Sequence, residues 1–209
     1  MLIKIKIFFL DLFIKTMVTH PGFMESKLFL MVMKIFPEMI SSHYDASVVK
    51  EGGNYQEVIR AGMMSIQRQP QRILDLCAGT GVTSFIANQV FPETKIVSID
   101  QSVGMIKIAR SKADKMGLSL IEFKLGNAMQ LTEPDNSFDL VITSNAPIYL
   151  SEVARVLMPG GKFMMAFFFG GHSFVKLEKN ISQSLSRYGL SLLELKNVDK
   201  GAYVVSEKV

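Results

Sequence analysis

Tryptophan is absent from this chain, cysteine occurs once and histidine only three times. A lone thiol, Cys77, excludes an internal disulfide and a cysteine-rich metal site, and it fits a reducing compartment, so a cytoplasmic location is expected. His20, His43 and His172 stand far apart with no H-x-x-x-H or H-E-x-x-H pattern, so no metal is expected. Blocks of five or six like charges are missing as well. The net charge of +4 is spread along the chain, which gives no basic groove of the kind a nucleic acid requires. Nor is a transmembrane segment expected, because the apolar stretch over residues 7–14 is interrupted by Asp11 and falls well short of the ~20 residues a span needs. No small-x-small cleavage site follows it, which argues against a secretory leader.

What is present describes a globular protein. With 48% hydrophobic and 20% charged residues, 209 residues suffice for one α/β domain with a substantial core but not for two of ordinary size. Fourteen methionines can fill irregular gaps or line adaptable apolar pockets, and the base composition of the gene explains them equally well. We expect a helical extension or lid over 1–49 and a single domain over 50–209. Residues 1–18 leave three readings open: lying along an interface, covering an apolar substrate, or being upstream sequence ahead of a start at Met17 or Met24, so that 1–23 would be non-native or disordered. Leu28, Met31, Val32, Ile35, Phe36, Met39 and Ile40 follow helical spacing, broken by Pro37.

The segment that organises the rest reads Arg72-Ile-Leu-Asp-Leu-Cys-Ala-Gly-Thr-Gly-Val-Thr83. An apolar run over 73–76 gives way at once to Gly79 and Gly81 and then to a helix from Val82, which spells strand, glycine turn and helix. Glycines here let the backbone double back and approach a ligand closely, and the first turn of the helix offers unpaired N–H groups. A dinucleotide fold would continue G-x-G-x-x-G, but Ser84 stands where its third glycine belongs. A second strand over 95–99 closes in Asp100, 19 residues after Gly81, where an α/β nucleotide site needs a carboxylate for ribose hydroxyls.

Asp75-Leu-Cys-Ala-Gly-Thr-Gly81 resembles the first motif of class I S-adenosylmethionine (SAM) dependent methyltransferases, with Cys77 in place of the first glycine. The stretch from Ile96 to Arg110 resembles their second motif, and Glu152, Arg155-Val-Leu157 and Pro159-Gly-Gly161 resemble the tail seen in members of the menaquinone and ubiquinone type. The resemblance covers residues 44–209. It implies a Rossmann-like, seven-stranded, mostly parallel sheet with helices on both faces and the last strand antiparallel.

It also implies SAM as cofactor, yielding S-adenosylhomocysteine (SAH). Asp75 would receive the ammonium group, while Cys77, Ala78, Gly79 and Gly81 wrap the methionine half. Asp100 would hold the ribose, with Gln101 beside it. Met105 would back the adenine, unless it is plain core. Asn127 stands where the family usually has Asp, so its amide oxygen would accept the adenine amino hydrogen without a charge, next to Ala128. Ser144 would complete the cofactor set. Tyr44, in His43-Tyr44-Asp45, would touch cofactor or acceptor, or else be a surface tyrosine in a capped loop.

Asn145, Tyr149 and His172 emerge at strand ends where an acceptor would bind. Alternatively Asn145 simply precedes a proline-started helix and His172 lies beside a helix cap. No catalytic base is assigned. The expected activity is methyl transfer to oxygen, carbon or nitrogen of a small-molecule acceptor; a non-catalytic SAM-binding regulator, or methylation of a macromolecule such as RNA, are the alternatives. A homodimer is left open.

Overall fold

The computed structural model describes residues 55–168 and 171–209. Tyr44, the helical spacing at 28–40 and the extension over 1–49 therefore lie outside the described residues. In chain order the elements are α1 (Tyr55–Met64), β1 (Arg72–Leu76), α2 (Val82–Val90), β2 (Lys95–Asp100), α3 (Val103–Met116), β3 (Ile121–Leu125) and β4 (Phe138–Ser144). They continue with α4 (Leu150–Val156), β5 (Leu157–Phe167), α5 (Gly171–Lys176), α6 (Glu178–Ser186), β6 (Leu190–Val198) and β7 (Gly201–Lys208).

The seven strands form one sheet in the order β3-β2-β1-β4-β5-β7-β6. Neighbours from β3 through β5 pair in parallel, whereas β7 runs antiparallel to both β5 and β6. This is the expected sheet, including the reversed final strand. From β1 the chain steps outward to β2 and β3, then returns to the other side of β1 with β4. Ligands in open α/β sheets bind where the strand order reverses in this way, beyond the carboxyl ends of β1 and β4.

Strands buried on both faces explain why the sequence shows apolar runs instead of alternation. Along β1, Ile73 enters one apolar cluster while Leu74 and Leu76 enter the other. The first cluster holds Ile59 and Met63 of α1, Ile86 of α2 and Ala109 of α3. Val153 of α4, Phe174 of α5 and Leu185 of α6 fill the second. Helices thus cover both faces of the sheet, and among the described residues none is long and apolar enough to cross a membrane.

The connection from β3 to β4 carries no strand of its own and is held by one guanidinium. Arg155 pairs with Glu152 and Asp135 and donates to the carbonyls of Leu131 and Glu133, while Glu152 also accepts the Leu131 N–H at 2.7 Å. Hydrogen bonding from Arg155 holds the Glu152 carboxyl below its usual range. Glu152 and Arg155 therefore build the scaffold.

Two elements differ from the sequence reading. The apolar spacing predicts one helix over 174–188, but the chain forms α5 and α6 with a break at Leu177. The helix expected over 55–67 ends at Met64, where the Ser65 hydroxyl donates to the Gly62 carbonyl and the Ile66 N–H turns back to Met63. A serine that captures a nearby carbonyl offers the backbone an alternative to continuing the helix.

Candidate functional site: a glycine turn over two buried carboxylates

Beyond Leu76 the backbone reverses through three left-handed residues, Cys77 (φ +55°), Gly79 (φ +54°) and Gly81 (φ +89°). For glycine this conformation is free of steric cost; for Cys77 it costs on the order of 1 kcal/mol, which the surrounding bonds outweigh. Those bonds run from Ala78 N–H to the Ile99 carbonyl at 3.0 Å and from Gly81 N–H to the Ala78 carbonyl at 2.9 Å. A Cβ on Gly81 would lie 2.9 Å from the ring tips of both Phe85 and Phe123, whereas one on Gly79 would meet nothing within 4 Å. One glycine is demanded by packing. The other borders open space.

Asp100 does more than end β2. Its Oδ2 accepts the Gly79 N–H at 2.8 Å and its Oδ1 accepts the Ser102 N–H at 2.9 Å, so one carboxylate ties the glycine turn to the start of α3. Ser102 in turn caps α3, accepting the Met105 N–H at 3.1 Å. Met105 is buried, Ala128 belongs to the second core cluster, and Gln101 is exposed. Asn127 is exposed too, and its Oδ1 accepts the Met129 N–H at 3.0 Å, closing a local turn.

Asp75 is 1% exposed. Its Oδ2 accepts the Ser84 hydroxyl; because Ser84 has a single proton and gives it to the carboxylate, Ser98 is the donor in the 2.7 Å contact between the two serines. Asp75 Oδ1 is buried with no partner among the described residues. Burial, aided by the charge of Asp100 and opposed by Ser84, pushes the Asp75 carboxyl up to about 7.

Ser84 and Ser98 were not singled out from the sequence. A signal was there, since Ser84 holds the position of the missing third glycine; its partner Ser98 had none. Ser84→Ala should destabilise the fold by about 2 kcal/mol, because a buried carboxylate loses its one hydroxyl donor. Urea unfolding at pH 8 measures this, and an unchanged midpoint would refute it.

Beside the turn, Thr143 Oγ1 donates to the Leu76 carbonyl at 3.0 Å, and the hydroxyls of Ser144 and Thr83 meet at 2.7 Å, binding the end of β4 to β1 and α2. Asn145, at φ +47°, accepts the Phe168 N–H through Oδ1 at 3.0 Å and so anchors the end of β5. Tyr149 is half-buried and packs, like Cys77, against the second core cluster. Burial pushes the Cys77 thiol well above its ordinary value and the Tyr149 phenol up to about 12. His172 is the second residue of α5. No group of three or more metal-ligating side chains occurs among the described residues.

A glycine turn between buried carboxylates at the reversal of a seven-stranded sheet coincides with a match of residues 68–201, more than half of the chain, to the methyltransferase domain. The chain belongs to the class I SAM-dependent methyltransferase family. It is 37% identical over 138 residues to a demethylmenaquinone methyltransferase of Symbiobacterium thermophilum, covering 61% of this chain and 55% of that one. Its likeness to the demethylmenaquinone methyltransferase of Geobacillus stearothermophilus is 38% over 143 residues, covering 62% and 59%. The chain thus spans somewhat more than half the length of these curated relatives. In fold it is similar to a SAM-dependent methyltransferase from Aquifex aeolicus, with a TM-score of 0.63 and 18% identity over 78% of this chain and 98% of that one. Relative to the methyltransferase motif the chain departs at Cys77 and Asn127, and the turn forms at the first despite the missing glycine.

Proposed function

We propose that this chain binds SAM in the glycine turn and catalyses methyl transfer to a small-molecule acceptor. The observation that carries this reading is the Oδ1 of Asp75, a buried acceptor atom at the carboxyl end of a central strand with no partner among the described residues, together with the open space over Gly79 in the turn that follows. A buried carboxylate oxygen without a donor is costly, and a cationic amino group satisfies it. This buried acceptor therefore fits the ammonium at the amino-acid end of SAM.

In this proposal Asp75 receives the ammonium, residues 77–81 wrap the methionine half, and Asp100 accepts ribose hydroxyls. Met105 and Ala128 form the apolar wall for adenine, with Asn127 and Gln101 at its polar edge, and Ser144 closes the far side. Asp100 thus has two roles, shaping the turn and holding the sugar. Bound SAM supplies a methyl group on a sulfonium leaving group. The chain contributes alignment and exclusion of water, since burial keeps both Cys77 and Tyr149 protonated and unfit as bases. The relatives' names support a small-molecule acceptor. The single thiol supports a cytoplasmic setting.

Calorimetric titration of the full chain with SAH should reveal one saturable site and NADH none. Methyl-labelled SAM incubated with a metabolite extract should then yield a labelled low-molecular-weight product. Absence of heat with both SAH and SAM overturns the reading, while SAH binding without any labelled product reduces the protein to a binder.

A further inference from the structure

Four side-chain oxygens belong to the segment that runs from the end of β4 to α4: those of Thr143, Ser144, Asn145 and Tyr149. Three are committed within the fold, to the Leu76 carbonyl, the Thr83 hydroxyl and the Phe168 N–H respectively. Among the described residues the Tyr149 hydroxyl has no hydrogen-bond partner, and it is not among the buried unsatisfied atoms. Its ring packs with Ile148 and Leu150 against the same apolar cluster as Cys77, and Cys77 is part of the glycine turn. Only residues 145–149 separate β4 from α4, so this short connection brings the phenol beside the turn with no intervening helix.

We infer that Tyr149 is an acceptor-binding residue, donating a hydrogen bond from its hydroxyl to a carbonyl, phenolic or enolic oxygen of the molecule that receives the methyl group. The inference rests on the SAM reading above. Two features favour a donor over other roles. The phenol keeps its proton throughout the physiological range, because burial and the neighbouring Cys77 push it up to about 12. Of the other hydroxyls of this corner, Thr143 already donates to the Leu76 carbonyl and those of Ser144 and Thr83 are bound to each other, so among the described residues Tyr149 is the hydroxyl whose proton remains to be given to an acceptor oxygen.

The test uses two bicyclic probes, 1-tetralone and its carbonyl-free counterpart tetralin, titrated against the SAH-loaded full chain and against Tyr149→Phe. The substitution keeps the ring and removes only the hydroxyl. One neutral hydrogen bond corresponds to about a fivefold change, so the preference for 1-tetralone over tetralin should fall about fivefold in the variant while SAH affinity and melting temperature stay unchanged. A preference identical in both proteins, or no saturable binding of 1-tetralone to the unaltered protein, overturns the inference. Failure of SAH itself to bind instead overturns the cofactor reading on which it stands, and the two failures are told apart in the same titrations.

Discussion

Gly81→Ala is expected to destabilise the fold by about 3 kcal/mol, far more than the same change two residues earlier. Two costs combine at Gly81. A methyl group at φ +89° sits in a backbone region that L-residues rarely adopt, which costs on the order of 1 to 2 kcal/mol. The same methyl would press to 2.9 Å against the buried rings of Phe85 and Phe123, and overpacking of this kind adds about 1 to 3 kcal/mol.

At Gly79, with φ +54° and no atom within 4 Å of the added methyl, only the first cost applies, about 1 kcal/mol. There the methyl would enter the space proposed for SAM, so Gly79→Ala should lose SAH affinity while remaining folded. Urea midpoints and SAH titrations of the two variants separate packing from binding. Equal midpoints would remove the packing role of Gly81.

The second large effect concerns Asp75 and pH. Its carboxyl titrates near 3.8 in the unfolded chain and at about 7 in the folded one. Below both values the group is protonated in either state and contributes nothing to the pH dependence. As pH rises from about 4 to 7 the unfolded chain releases the proton while the folded chain retains it, so stability falls across that window and levels off above it. The full difference is on the order of 4 kcal/mol.

Asp75→Asn removes the buried charge and should therefore be more stable than the unaltered protein at pH 8, with the gap closing towards pH 4. It should also lose most SAH affinity, since the anion proposed to receive the ammonium is gone. In the unaltered protein at pH 6, SAH binding should release close to one proton, visible as a dependence of the measured heat on buffer ionisation enthalpy. Parallel stability curves for the two proteins between pH 4 and 8 would refute the burial argument.

Asp75 also shows how far reading residues in a row reaches. Its place at the end of an apolar strand ahead of Gly79 and Gly81, and the spacing to Asp100, were legible because strand, turn and helix are local patterns that one chain segment writes by itself. The continuous apolar runs announced strands covered on both faces, and the two-face core follows them. The role of Asp100 was legible only in part. A carboxylate near a ribose was expected, but its hold on the N–H groups of Gly79 and Ser102 depends on two segments meeting, which no spacing records.

The same holds for Asn127 and Asn145. Residue type and position at a strand end suggested ligand contacts, yet each amide oxygen satisfies a backbone N–H of its own protein. Buried and turn-forming N–H groups must find acceptors, and the nearest side-chain oxygen is taken wherever it comes from.

By itself, then, the sequence determined the sheet class, the glycine turn and the pair of acidic positions around it, because hydrophobic period and backbone freedom are properties of short stretches. Tertiary structure alone decided which polar atoms are used up and which are left over among the described residues: Ser84 and Ser98 linked in a chain to Asp75, the Asp75 Oδ1 without a donor, and the Tyr149 phenol without an acceptor. Hydrogen bonds and desolvation act between atoms distant in sequence, so the chemistry of the cleft exists only after the strands have been brought side by side.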